Sequence, residues 1–306
     1  MAPRVVIDSL TVTGGLSGIA VSGADRMSVR NCIVQNIGSE GISFFHGATG
    51  TVDNCTVQNA GRNGIAIIHG ATATVINSTI SGNAGAGIHV PSGSSARIGI
   101  SPFLFAYAPN TISNNGSSGI SVANGSAALI GGNTISGNGI TSGALFGRSG
   151  IFVLYANADI VGSNTITSNA GSGVSAQGSG ILIGDPTFGL STANTITGNN
   201  TSGAGFEGGV LEFLGSSLDI RDATINGNTG NGVTLSTRSS ARMLNDTVNS
   251  NTGHGILLSL GGGLLLHSPA VTAAGNGGSG LFCNDGEASA AGDFSGISGG
   301  VICTGF

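Results

Sequence analysis

The sequence predicts an all-β chain wound as a right-handed, single-stranded parallel β-helix, a solenoid of about eleven rungs with three strands per rung. Three observations predict it. A glycine followed by an aliphatic residue recurs at Gly18, Gly41, Gly64, Gly87, Gly119, Gly150, Gly173, Gly209, Gly232, Gly255 and Gly280, most often 23 residues apart. Apolar residues recur at fixed offsets from that glycine. The composition has 57 Gly in 306 residues, no Trp, no lysine and only 8% charged residues, so neutral polar side chains must cover most of the surface. A rung of 23 residues holds three short strands and three turns, and it buries apolar side chains only by stacking on its neighbours. The hand follows from the crossover rule for parallel strands.

Each element of the rung has its own signal. Val29, Val52 and Val75 lie twelve residues before an anchor glycine and define the first strand. Val34, Val57, Ile80 and Ile112 lie seven before and define the second; Ile88-His89-Val90 and Ile120-Ser121-Val122 follow the glycine and define the third. Alternation with period two places these residues inside and their neighbours outside. Asparagine marks the turns, at Asn110, Asn164 and Asn194 and again at Asn83, Asn115, Asn169, Asn228 and Asn251. Its amide can bond to the same amide one rung up, and it tolerates left-handed backbone.

Composition also excludes classes. A net charge of −5 without a basic stripe excludes nucleic acid as the expected partner. No apolar run of membrane-spanning length exists, so no membrane insertion is expected. The carboxylates are scattered, and no metal and no cofactor is expected. Residues 1–283 read as the solenoid and 284–306 as a non-periodic C-terminal cap of the same domain. Val5-Val6-Ile7 already reads as a rung strand, so the first rung is expected to be covered by further chain or by another subunit.

Through its recurring Asn-Thr-Ile-Ser-Gly-Asn stretches, as at Asn133 to Asn138 and Asn110 to Ile120, the chain resembles the right-handed parallel β-helix repeat proteins of the pectate-lyase-like superfold over residues 5–283. The resemblance implies the fold. Function stays open, since that superfold hosts lyases, hydrolases, epimerases, tailspikes, adhesins and repeat proteins. Set against its catalytic motifs, Gly253-His254-Gly255 is present without an Asp-Asp pair or any lysine, and Asp185-Pro186-Thr187 lacks the histidine of the epimerase motif. His254 reads as a variable turn residue. Arg30 with Asp53 and Asp219 with Arg242 read as surface ion pairs between adjacent rungs.

Two weak catalytic candidates remain, Glu207 and Glu212. Glu212 takes a position filled elsewhere by inward valines, where burial would raise its pKa as a general acid requires; a bulge that turns it outward is the simpler expectation. His46 and His69 are expected to stack. The longer steps in the period mark inserted loops at Gly99–Phe105 and Gly184–Phe188, and two more before Gly150 and Gly209 that should lay Phe146 and Phe206 against the third strand.

The outer face of that strand should carry an apolar stripe of Phe45, Ile68, Phe152, Leu154, Leu211, Phe213 and Leu257, with Phe282 beyond it, and such a stripe reads as a binding or assembly surface. The second strand carries a polar ladder, Thr56, Thr79, Thr111 and Thr134 with Ser81, Ser113 and Ser136 two residues on. Cys283 and Cys303 are expected to form a disulfide and Cys32 and Cys55 to stay free, which favours an extracellular or cell-surface location.

The sequence therefore favours a structural or binding solenoid, a surface adhesin or self-associating fibre subunit whose partners are other copies of itself or a surface glycan. The alternative is a carbohydrate-active enzyme, a lyase, hydrolase or epimerase with an atypical site. Ice binding through the threonine ladder is a third reading.

Overall fold

The computed structural model describes residues 4–23, 26–102, 106–141, 147–184 and 193–303, and among them every element is a β-strand. The fold is an all-β right-handed parallel β-helix. It divides into two compact units, Met1–Ala158 and Asp159–Phe306.

In the first unit three parallel sheets repeat in strict order. The first sheet stacks Arg4–Asp8, Arg26–Arg30, Thr49–Asp53, Thr72–Ile76, Ser95–Ile98 and Ala127–Gly131. The second stacks Thr11–Thr13, Ile33–Gln35, Thr56–Gln58, Thr79–Ser81, Thr111–Ser113 and Thr134–Ser136. The third stacks Ile19–Ser22, Ile42–Phe45, Ile65–Ile68, Ile88–Val90, Ile120–Ala123 and Ile151–Leu154. Ile42 pairs with Ile65, Ile65 with Ile88 and Ile88 with Ile120, all fully buried, so one isoleucine file runs up the interior. Ile88→Val should cost about 0.5–1.5 kcal/mol in equilibrium unfolding, a cost that an outward-facing Ile88 would not show.

The anchor glycine has a steric cause. A Cβ on Gly87 would lie 2.6 Å from Ile112 Cγ2, 2.7 Å from the Gly119 carbonyl oxygen and 2.8 Å from Asn115 Nδ2, so no side chain fits where the rung turns into its third strand. The asparagine beside it is interior. Asn83, Asn115 and Asn138 are buried, with Asn83 Nδ2 donating to Asn115 Oδ1 and Asn115 Nδ2 to Asn138 Oδ1, each at 2.9 Å. A second ladder joins Asn110 to Asn133. The left-handed backbone falls on neighbouring residues instead, Asn59 (φ 54°) and Asn114 (φ 55°).

The second unit repeats the plan. Its third sheet contains Val174–Gln177, Gly208–Phe213, Asn231–Leu235, Ile256–Leu258, Leu281–Cys283 and Val301–Ile302. An asparagine ladder runs through Asn169, Asn199, Asn228, Asn251 and Asn276. The tail expected to be non-periodic continues the winding: Ser289–Gly292 pairs with Gly263–His267 and Val301–Ile302 with Leu281–Cys283. The strand Ser289–Gly292 carries only serine, alanine and glycine, so it gives no apolar signal in the sequence and is recognised by its backbone pairing. Cys283 and Cys303 are joined, with Cα atoms 4.7 Å apart. Cys32 and Cys55 are free and buried.

One expected ion pair is replaced. Arg30 and Asp53 are in register, but the Arg30 guanidinium turns to Asp8 at 2.7 Å and Asp53 accepts the Asn77 amide at 2.8 Å. Arg242 does bond Asp219, which Arg221 also reaches at 2.8 Å.

Candidate functional site

Glu212 neither bulges outward nor faces a cleft. It pairs with Ala176 and Leu235 along the interior, is fully buried, and neither carboxyl oxygen has a hydrogen-bond partner. The nearby Ser216 hydroxyl tempers its charge but is committed to the Phe213 carbonyl at 2.8 Å. Burial pushes the Glu212 carboxyl well above its ordinary pKa and so favours its neutral form. No saccharide in solvent reaches it. Glu207 lies in the preceding turn, 4% exposed, with its backbone oxygen taking the Asn200 amide at 3.1 Å. The two carboxylates do not form an acid/base pair open to a substrate.

The expected apolar stripe is broken. Leu211 and Leu257 are 4% and 7% exposed, while Phe45, Ile68, Phe152, Leu154, Phe213 and Phe282 are half-buried. Leu211 and Leu257 both pair with Thr234, whose hydroxyl bonds the Phe206 carbonyl of the inserted turn at 3.4 Å. That turn lies beside Thr234, while its own Phe206 is 68% exposed, contrary to the expected contact. Phe103 to Phe105, Phe146 and Asp185 to Phe188 lie outside the described residues.

His254 is a structural turn residue. Its Nδ1 accepts the Ser279 N–H at 3.0 Å, and its ring stacks on Phe282 with centroids 4.5 Å apart. Burial lowers its pKa, which fits a neutral ring with an accepting Nδ1. His46 and His69 stack at 5.3 Å on an exposed turn, and His46 Nδ1 meets the Ser22 hydroxyl at 3.3 Å.

A different feature shapes the surface. The chain leaving Ser95–Ile98 turns back as a hairpin, with an antiparallel bridge between Ile100 and Tyr107 and a Ser101 N–H bond to the Ala106 carbonyl at 2.9 Å. The Gly99 N–H donates to the Val75 carbonyl, and the Asn77 N–H donates to the Ala108 carbonyl, which pins the base of the hairpin to the preceding rung. Gly132, whose left-handed backbone (φ 74°) would put a Cβ within 3.0 Å of the Tyr107 ring, leaves room for that ring.

The described residues on either side of the hairpin's tip, among them Pro102 and Tyr107, stand against the outward face of the first sheet. Beside Pro102 open spaces of about 570, 430 and 320 Å³ form a trough. Its floor presents Ser28, Thr49, Thr51, Thr72 and Thr74, with Arg26 and Arg97 at its margins and Tyr107 in the wall. Arg26 is exposed and makes no ion pair among the described residues. Asp53 is the carboxylate among these lining residues, and it is held by Asn77.

Sequence reasoning located the inserted loop but missed the trough. The available signal was Arg26, Thr49, Thr51, Thr74 and Arg97, all on outward positions of one sheet. Nothing in the period says which face a loop folds over.

The sequence profile of the right handed beta helix region matches residues 1–102, 63–188 and 175–294. Among solved structures the chain is similar to the periplasmic alginate epimerase AlgG, with a TM-score of 0.68 at 14% identity over 95% of this chain and 76% of that one. It is also similar to the A-module of the mannuronan C-5 epimerase AlgE4 of Azotobacter vinelandii, with a TM-score of 0.51 at 15% identity over 90% of each chain. For the A-module of AlgE6 from the same organism the TM-score is 0.52 at 12% identity, over 99% of this chain and 88% of that one. At such identities the likeness is one of fold. No curated protein sequence matches the chain.

Proposed function

Because the chain belongs to the right handed beta helix family, whose winding offers whole sheet faces for a site, we propose that it is an extracellular glycan-binding β-helix of adhesin type that holds an acidic polysaccharide in the trough beside Pro102. The observation that carries this reading is the bridge between Ile100 and Tyr107, which sets Pro102 and Tyr107 beside the first sheet as the wall of a trough. An extended polymer lies along such a trough, and its hydroxyls meet a floor of Ser and Thr. The guanidinium of Arg26, unpaired among the described residues, offers a carboxylate or sulfate a two-pronged contact at the rim. Arg30 adds little, being matched by Asp8.

The similar structures are named as enzymes of alginate and mannuronan, and the acidic class is consistent with the trough chemistry. Binding without cleavage is favoured because hydrolysis needs two placed carboxyl groups about 5–10 Å apart, whereas the lining residues include Asp53 alone, already hydrogen-bonded. Self-association through the apolar stripe loses support once Leu211 and Leu257 are buried.

Electrophoresis through gels containing polygalacturonate, alginate or neutral dextran tests this. The protein should be retarded by the acidic polymers and not by dextran, and Arg26→Glu with Arg97→Glu should abolish the retardation while Arg238→Glu leaves it intact. Equal retardation of the double variant, or retardation by dextran alone, contradicts the reading.

A further inference from the structure

The second sheet of the first unit has an outer face with no charged residue. Thr56, Thr79, Thr111 and Thr134 pair in register as one file, and Gln58, Ser81, Ser113 and Ser136 as a second file two residues on. Between them Val57, Ile80, Ile112 and Ile135 point inward and are fully buried. The hydroxyls of the four threonines and of the three serines repeat at the strand spacing of about 4.8 Å, and the files stand roughly 6.6 Å apart. Thr79, Thr111 and Thr134 are exposed, the serines partly so, and among the described residues none of these hydroxyls is taken by another side chain.

The array is also clamped on both sides. Thr111–Ser113 lies between Asn110 and Asn115, and Thr134–Ser136 between Asn133 and Asn138, and the buried ladders Asn110–Asn133 and Asn115–Asn138 fix the two strands at both ends. The described hairpin residue Pro102 lines spaces on the first sheet, and none of these threonines and serines is among their lining.

β-propensity explains the threonines but not the serines that fill the second file, nor the lack of charge. The outward face of the first sheet differs, carrying Arg26, Arg30, Asp53, Arg97 and Leu129. We propose that the Thr/Ser face binds ordered water and, through it, the surface of ice. Hydroxyls at a fixed repeat hold bridging waters in ranks, the threonine methyls keep those waters from disordering, and rigid strands impose the repeat without an ordering cost at the moment of binding. The repeat along a file is close to the oxygen repeat along the a axis of hexagonal ice. The absence of charge removes the strongly hydrated groups that would hold water in another arrangement. This site is separate from the trough, and neither reading depends on the other.

The test is partition of the fluorescently labelled full chain into a slowly growing ice hemisphere, together with inhibition of ice recrystallisation. The protein should enter the ice and keep crystals small. Thr111→Tyr and, separately, Ser113→Tyr should lose both effects while retaining the β-sheet circular dichroism of the parent, and Ser240→Tyr on an exposed first-sheet position of the second unit should keep them. Exclusion of the parent protein from ice overturns the proposal. So does undiminished entry of both file variants, or equal loss in Ser240→Tyr.

Discussion

Asn115→Ala is expected to lower the unfolding free energy by about 3–5 kcal/mol, a larger loss than its small volume change suggests. The Asn115 side chain is fully buried and makes four contacts: Oδ1 accepts the Asn83 N–H at 3.2 Å and the Asn83 amide at 2.9 Å, while Nδ2 donates to Asn138 Oδ1 at 2.9 Å and to the Ile80 carbonyl at 3.3 Å. Alanine leaves the Asn83 N–H without that acceptor inside a packed interior, and each buried group so orphaned costs about 1–3 kcal/mol. Denaturant titration should show a lower midpoint with little change in slope. A loss below about 1 kcal/mol would show that the ladder is dispensable.

The second large effect concerns Asp246, which stands in the file occupied elsewhere by Asn164 and Asn194. Its Oδ1 accepts the Ala223 N–H at 2.9 Å and its Oδ2 the Leu244 N–H at 3.0 Å. Burial raises its pKa from 3.8 to about 7 against those two bonds, with Asp222 and Asp219 adding to the rise. The folded chain therefore binds this proton more tightly than the unfolded chain does. Its contribution is fully present below pH 3.8 and is lost progressively as pH rises to about 7. Glu212, also raised by burial, acts in the same direction.

Asp246→Asn should keep the Ala223 bond, supply an amide to the preceding rung as Asn194 does to the Ile160 carbonyl, and remove the titration. The Leu244 bond is lost, so the net gain at pH 8 is expected to be about 2–3 kcal/mol, with the fall in stability between acid and neutral pH markedly flattened. An unchanged pH profile would mean that Asp246 is solvated in the folded chain.

Much of this was legible in the sequence, because stacking makes every rung report the same constraint. Gly87 and Gly119 mark a place where a Cβ meets the next rung, and a restriction repeated at each turn becomes a period. What escaped detection depends on side chains choosing among equivalent neighbours. Arg30 has a carboxylate one rung below and another one rung above, and the period cannot say that it takes Asp8. Leu211 and Leu257 sit at outward positions yet are buried beside Thr234, whose hydroxyl is taken by the inserted turn at Phe206. Glu212 was expected outward because a carboxylate is costly inside; beside the small Ala176 the interior accommodates it by keeping its proton. The last rung went unseen because Ser289–Gly292 pairs through its backbone without an apolar pattern.

The trough was hidden for a related reason. A nine-residue excess in one step announces a loop, but the side to which it folds is set by contacts such as Tyr107 against Gly132, which no period contains.

The central claim is that the trough beside Pro102 holds an acidic polysaccharide without transforming it. The most direct measurement is NMR of polygalacturonate and of alginate during prolonged incubation with the protein at concentrations that give full retardation in gels. The account predicts broadening of the polymer resonances by binding, with no new reducing ends, no unsaturated uronate and an unchanged ratio of uronate epimers. Product that accumulates with the parent protein and disappears with Arg26→Glu and Arg97→Glu would contradict the account and make the trough an active site.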